Sequence, residues 1–155
     1  MDGLKARLAS RNANKARELE QLLPNWRIEP LQADDYPAED GATYYENARG
    51  KALFGQTQAG LDEWVLGEDS GIEVAALGGG PGVHSARSGG DDPVGWLLDQ
   101  LAGVEDRRAR YVSELVILSP AGDELRGTGT LAGRIATGPR GQAAGPGARS
   151  AGRAA

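Results

Sequence analysis

The sequence predicts an α/β domain, a mixed β-sheet with flanking helices, and three features of its 155 residues lead there. Segments with helical spacing of apolar residues alternate with short apolar runs, the order expected when helices pack on a sheet. Two helix starts carry capping signals. The last two strand-like runs are separated by a short polar turn, which makes a hairpin and adds an antiparallel pair.

In chain order, Leu4 to Ala9 reads as a short strand, although Lys5 and Arg7 interrupt it. Ser10-Arg11-Asn12-Ala13-Asn14 is a polar turn, because Ser and Asn bond to nearby backbone. Lys15 to Leu23 follows with Ala16, Leu19, Leu22 and Leu23 at helical spacing, and Pro24 ends it. Thr43 with Glu46 forms a capping box for a second helix, Gly60 marks its stop, and Ala48, Ala52 and Ala59 offer a face for close packing. Trp64-Val65-Leu66 is a compact buried strand that runs directly into Gly67-Glu68-Asp69-Ser70-Gly71, where Gly71 would let the backbone turn sharply. Ile72 to Ala76 is apolar again, and residues 78–82 form a glycine-rich loop. Asp91-Asp92-Pro93 starts a third helix with Val94, Leu97, Leu98 and Leu101 on one face. Tyr111 to Leu118 is the strongest strand, Ser119 to Asp123 its turn, and Leu125 to Ile135 its glycine-weakened partner.

Composition removes whole classes of function. Lys and Arg total 17 against 22 Asp and Glu, a net charge of −5, so no polymeric nucleic acid is expected as a partner. A small anion held by local cations or a metal is compatible with that balance. The absence of cysteine excludes disulfides, thiolate catalysis and cysteine-bound zinc. No apolar run approaches the roughly 20 residues of a membrane helix, and Met1 to Leu8 lacks the apolar stretch of a signal peptide. A cytoplasmic protein without membrane attachment is the expectation. Residues 138–155 contain only Gly, Ala, Arg, Pro, Gln and Ser, too little apolar surface to offset the entropy of ordering, so a disordered tail is expected.

Two polar clusters have the makings of a site. Ser10 to Lys15 lies between a strand and a helix N-terminus, where backbone N–H groups and the helix dipole favour phosphate. The same residues also read as an Asn-rich turn capping an ordinary helix, and the phosphate loop pattern of nucleotide triphosphatases is absent. Glu68-Asp69-Ser70-Gly71 follows an apolar strand, the place where α/β sheets bind ligands, and adjacent carboxylates hold Mg²⁺ or activate water. An acidic surface turn is the plainer reading. Glu46 is explained by helix capping, Glu39 and Asp40 sit in an acidic loop, and Trp26, Trp64 and Trp96 are expected in the core.

Together and in order, these segments resemble the inosine/xanthosine triphosphate pyrophosphatase family, of the Ham1-like kind. The resemblance is carried by Ser10-x-Asn12-x-x-Lys15-x-x-Glu18 and Glu39-x-Gly41-x-Thr43-x-x-Glu46-Asn47-Ala48-x-x-Lys51-Ala52. Glu68-Asp69-Ser70-Gly71-Ile72-Glu73-Val74 and Leu77-Gly78-Gly79-x-Pro81-Gly82-Val83-x-Ser85-Ala86-Arg87 continue it. Arg108-Ala109-Arg110-Tyr111, Gly133-Arg134-Ile135 and Pro139-Arg140-Gly141 complete it.

The resemblance implies an elongated α/β fold with two lobes around a nucleotide cleft, a homodimer, and Mg²⁺-dependent hydrolysis of ITP, dITP or XTP to the monophosphate and pyrophosphate. It implies that Ser10, Arg11, Asn12, Ala13, Asn14 and Lys15 contact the triphosphate, that Ser70 contacts substrate, that Asp69 is the general base, and that Asp69 and Glu39 hold the metal. The match runs from about Leu4 to Gly141, and the expected domain is 1–141 with 142–155 as its tail. The family's later aromatic Phe-Gly-Tyr-Asp stretch, its Lys and its Ser-His-Arg, which hold the purine, have no counterpart in 142–155. A truncated or frameshifted chain is therefore expected, with an incomplete second lobe and poor base discrimination. The alternative function is a non-catalytic chain that at most binds a triphosphate weakly.

Overall fold

The computed structural model describes residues 3–10 and 12–138. Arg11 and the expected tail 142–155 lie outside the described residues. Among the described residues five strands and three α-helices follow one another as β1 Leu4–Leu8, α1 Ala13–Leu22, β2 Trp26–Pro30, α2 Tyr44–Gln58, β3 Trp64–Val74, α3 Pro93–Gln100, β4 Arg108–Leu118 and β5 Glu124–Arg134. The strand order is β2-β1-β3-β4-β5. β1 runs parallel to β2 and to β3, whereas β4 and β5 are neighbours joined by a tight turn, a connection that only antiparallel strands permit. The sheet is mixed, as the sequence predicts. No helix among the described residues is long and apolar enough to cross a membrane.

The chain divides into two compact units, Met1–Asp69 with Glu114–Thr128, and Ser70–Ser113 with Gly129–Ala155. In the first, Ala6, Leu8, Ala16, Ile28 and Leu66 form a core against which Leu19, Leu23, Trp26 and Trp64 pack. Trp26 and Trp64 meet edge to face, ring centroids 5.4 Å apart at 79°, the arrangement that aromatic quadrupoles favour. A second cluster joins Ala48 and Ala52 of α2 to Val116 and Leu118 of β4. The alanine face of α2 is therefore a packing face. It rests on β3 so closely that a Cβ on Gly67 would stand 2.0 Å from the Ala48 carbonyl oxygen.

In the second unit Val74, Leu97, Leu101, Ala109 and Ile135 form the core, with Ile72, Leu77, Trp96, Leu98 and Val104 against it. Asp92 caps α3 by accepting the Gly95 N–H at 2.9 Å, with Pro93 in the first turn as predicted. Buried Arg107 fastens this unit by donating to the carbonyls of Ile135 (2.9 Å), Leu101 (2.8 Å) and Ala136 (2.9 Å).

The structure departs from the sequence reading in three places. β2 has no sequence prediction behind it: Ile28 is its sole buried residue, and parallel pairing with β1 makes the strand. Its Pro30 is tolerated because β2 is an edge. The turn expected at Glu68 to Gly71 is absent, since β3 continues unbroken to Val74. Gly67 is there for the approach of α2 rather than for a bend, and Gly71 does not take the left-handed conformation. Finally, β4 begins at Arg108, three residues before the apolar alternation does.

Candidate functional site

The β1–α1 connection is a tight cap. Asn12 is the N-cap of α1, its side chain accepting the N–H groups of Asn14 (3.0 Å) and Lys15 (3.3 Å). Ser10 Oγ in turn accepts the Asn12 N–H at 3.0 Å. The plain reading of this segment as a helix cap therefore holds, and it coexists with the phosphate reading because the helix start remains electropositive. Ala13 and Asn14 form the exposed first turn of α1. Lys15 Nζ lies 3.6 Å from Glu68 Oε1.

Asp69 lies within β3, not at its end. It is 6% exposed, and Asn47 Nδ2 donates to its Oδ2 at 3.1 Å. Asn47 is itself fixed, since its Oδ1 accepts the Gly41 N–H at 2.8 Å. One turn further along α2, Lys51 Nζ donates to the Glu68 carbonyl oxygen at 3.1 Å, stands 3.9 Å from Asp69 Oδ1, and pairs closely with Glu39. Residues four apart share a helix face, so α2 presents an amide and an ammonium together to one carboxylate. Glu39 comes from the irregular 31–43 segment, which Tyr36 anchors by donating its hydroxyl to the Leu31 carbonyl and packing on Phe54 at 5.2 Å.

Burial is the largest influence on Asp69 and pushes its carboxyl pKa above the ordinary aspartate value. The Asn47 hydrogen bond and the Lys51 charge pull the other way, and the charges of Glu39 and Glu68 add to the rise. A carboxylate whose charge is poorly solvated is a stronger base than one in water.

Side chains alternate across a strand, which sorts the expected site residues. Asp69 faces α2 with Asn47 and Lys51. Glu68 and Ser70, its neighbours in sequence, leave the opposite face of β3, and Lys15 pairs with Glu68 there. Lys15 and Ser70 are thus not brought to the Asp69 carboxylate. Ser10, Glu39 and Lys51 do come together, lining a cavity of about 380 Å³ with Ala9, Asp34, Tyr36 and Pro37.

The sequence profile of the Ham1 family matches residues 6–146. This chain belongs to that family. It is 42% identical over 144 residues to a dITP/XTP pyrophosphatase of Syntrophobacter fumaroxidans, an alignment covering 86% of this chain and 61% of the relative. It is also 42% identical over 149 residues to the dITP/XTP pyrophosphatase of Deinococcus deserti, covering 90% of this chain and 71% of that protein. The solved Ham1 protein of Staphylococcus aureus matches with a TM-score of 0.74 at 32% identity, covering 88% of this chain and 74% of that one. A nucleoside-triphosphatase / dITP/XTP pyrophosphatase of Mycobacterium abscessus matches with a TM-score of 0.68 at 37% identity, covering 90% and 78%. The chain spans less than two thirds of the length of the Syntrophobacter relative.

Two residues of this Ham1 family chain went without a role in the sequence reading, Asn47 and Lys51. Their signal is positional. They flank the Ala48/Ala52 packing stripe of α2 four residues apart, where a polar residue is buried only if something across from it needs pairing.

Proposed function

We propose that the chain hydrolyses non-standard purine nucleoside triphosphates, of the ITP, dITP or XTP type, to the monophosphate and pyrophosphate. The observation that carries this reading is a buried Asp69 carboxylate held between Asn47 and Lys51, with Lys51 also lining a cavity shared by Ser10 and Glu39. The names of the similar proteins support the same substrate class.

In this reading Asp69 orients a water and takes its proton as the water oxygen attacks the α-phosphorus. The bond from that phosphorus to the bridging oxygen breaks, and pyrophosphate leaves. Asn47 holds the carboxylate in one orientation, and Lys51 offsets negative charge beside it. The loop Ser10 to Lys15, including Arg11, contacts the phosphates, Lys15 reaching them from its pairing with Glu68, and Ser70 is a substrate contact.

Asp69 and Glu39 would hold Mg²⁺. The two carboxylates already converge on one cation, the Lys51 ammonium, and Mg²⁺ is usually bound by one or two carboxylates plus substrate phosphates rather than by a full protein cage. Among the described residues no group of three or more His, Cys, Asp or Glu comes together to hold a metal. When bound, the metal supplies charge neutralisation for the departing pyrophosphate.

The test is pyrophosphate release from ITP with Mg²⁺, compared with ATP and with Asp69→Asn. The expected result is turnover of ITP that falls by roughly 10²–10⁴-fold in Asp69→Asn. Equal rates for the two proteins would remove Asp69 from its role. Mg²⁺-dependent ITP binding without turnover, seen by calorimetry, would instead favour a chain that only binds the triphosphate.

A further inference from the structure

Three oxygens from three residues surround the Lys51 ammonium. It pairs closely with Glu39 Oε1, donates to the Glu68 carbonyl oxygen at 3.1 Å, and lies 3.9 Å from Asp69 Oδ1. Asn47 takes the other Asp69 oxygen, Oδ2, at 3.1 Å, so Oδ1 is the one that faces the cation. From Glu68 only the backbone contributes, because its carboxylate stands 3.6 Å from Lys15 on the opposite face of β3.

This donor set has the chemistry of a divalent-cation seat. Hard cations take carboxylate and carbonyl oxygens, and two carboxylates and a carbonyl converge here on one positive charge. An ammonium is a monovalent substitute that can leave. Its charge is compact and its stem flexible, and Lys51 lines the cavity of about 380 Å³ together with Ser10 and Glu39. The side chain can turn into that cavity while α2 stays on β3. Two cations cannot share the seat. The Lys51 and Asp69 side chains are 18% and 8% exposed, and like charges a few ångströms apart repel strongly where water screens them poorly.

We propose that Lys51 is a placeholder cation: its ammonium fills the seat between Glu39 and Asp69 and keeps a divalent ion out until a triphosphate draws it into the cavity. The inference rests on the reading of Glu39 and Asp69 as metal ligands and adds an order of events to it. Without nucleotide the two carboxylates stay neutralised by Lys51. A triphosphate that arrives with its own Mg²⁺ attracts the ammonium, and Glu39 and Asp69 are released to the metal in the same exchange. The chain therefore takes up the metal with the nucleotide and not before it.

The test is Mn²⁺ binding to the full chain without nucleotide, read from the electron paramagnetic resonance of the free ion, for the parent, Lys51→Met and Arg49→Met. Methionine keeps the unbranched shape of lysine and removes the charge. Arg49→Met removes a charge from the same helix at a residue paired with Glu124 instead. Lys51→Met should bind Mn²⁺ about tenfold more tightly than the parent, or better. Arg49→Met should match the parent within about twofold, because exposed charges are screened. Adding Glu39→Gln to Lys51→Met should remove the gain.

Lys5, Lys15 and Lys51 are the only lysines, so lysine labelled with carbon-13 gives one side-chain NMR signal for each. The Lys51 signal should stay in place with Mg²⁺ alone and move when ITP is added with it. A parent that binds Mn²⁺ as tightly as Lys51→Met overturns the proposal, as does an equal gain in Arg49→Met or a Lys51 signal moved by Mg²⁺ alone. If such a result accompanies ITP turnover that Asp69→Asn abolishes, the proposed activity stands and only the placeholder falls. No Mn²⁺ binding in any variant, with Asp69→Asn as active as the parent, removes both. If Lys51→Met does not fold, the NMR signal of the parent decides.

Discussion

Asn47 uses both ends of its amide, accepting the Gly41 N–H at 2.8 Å through Oδ1 and donating to Asp69 Oδ2 at 3.1 Å through Nδ2. The side chain thereby ties the loop before α2 to the central carboxylate of β3. Asn47→Ala leaves the Gly41 N–H and the buried carboxylate each short of a partner. A buried polar group left unsatisfied costs about 1–3 kcal/mol. The expected result is a destabilisation of about 2 kcal/mol in urea unfolding. kcat should fall more than KM rises, because the orientation of Asp69 is lost while the β1–α1 loop is untouched.

Asp69 should oppose the stability of the fold it serves. Burial raises its pKa in the folded state, so the folded protein binds this proton more tightly than the unfolded chain does. The stabilisation that goes with the protonated form is complete below the unfolded value, is lost as pH rises through the folded pKa, and leaves a penalty at neutral pH. Asp69→Asn keeps an acceptor for Asn47 and removes the charge. Measured in EDTA at pH 7, it should be more stable than the parent chain by about 1 kcal/mol, the usual size of a successful stabilising change. The difference should shrink in acid, and a parent chain more stable than the variant at pH 7 would contradict the account.

The sequence declares elements whose cause is local. The caps at Thr43 and Asp92 are local, and α2 and α3 begin where they predict; α1 begins at Ala13, two residues before the expected Lys15, because Asn12 is its cap. β2 was invisible because Ile28 is its single buried residue and its pairing with β1 joins residues more than twenty positions apart. The Asp69 cluster was half legible. The motif named the carboxylate, but Asn47 and Lys51 acquire meaning only once α2 lies on β3. That Lys15 and Asp69 take opposite faces follows from β3 running straight through Glu68 to Gly71, where Gly71 suggested a turn.

Gly67 is required by that same contact. An added Cβ would fall 2.0 Å from the Ala48 carbonyl oxygen and 2.7 Å from the Ala52 nitrogen, both backbone atoms of α2 that cannot swing aside. Gly67→Ala must push α2 off β3, and overpacking of this kind costs about 1–3 kcal/mol. Urea unfolding should show a loss near the upper end of that range. The activity that survives should be low, because Asn47 and Lys51 move with the helix. Gly50→Ala on the same helix, with nothing within 4 Å of its added Cβ, should be neutral or stabilising.

Asp106 and Arg108 form a local pair on the surface of the second unit, with two guanidinium nitrogens donating to the carboxylate at 2.8 Å each. These hydrogen bonds, with a further one from the Arg108 backbone, hold the Asp106 pKa down at about 2. The contribution is present above the unfolded aspartate value and is lost as pH falls through about 2. A carboxyl titration by NMR should place Asp106 well below the ordinary aspartate value. In Arg108→Ala the midpoint should return toward the ordinary value, and a midpoint unmoved by that change would assign the shift to another cause.

Arg107 places a guanidinium in the second unit's interior, where it donates to the carbonyl oxygens of Ile135, Leu101 and Ala136 at 2.8–2.9 Å and of Val104 at 3.4 Å. These oxygens belong to the end of α3, the segment after it and the chain just past β5, so one side chain ties together three stretches that also meet in the apolar core of this unit. Arg107→Ala strips several carbonyls of a charged donor, and hydrogen bonds to charged groups are worth about 1.5–3 kcal/mol each before compensation by water. Water reaches part of the site, so the expected net loss is about 3 kcal/mol, within the range seen when a buried hydrogen-bond network is broken. Lysine cannot substitute, because a single ammonium lacks the planar fork that spans these oxygens. Thermal unfolding should therefore rank the parent chain above Arg107→Lys and Arg107→Ala. Equal melting temperatures for parent and Arg107→Lys would mean that charge rather than geometry fastens this unit.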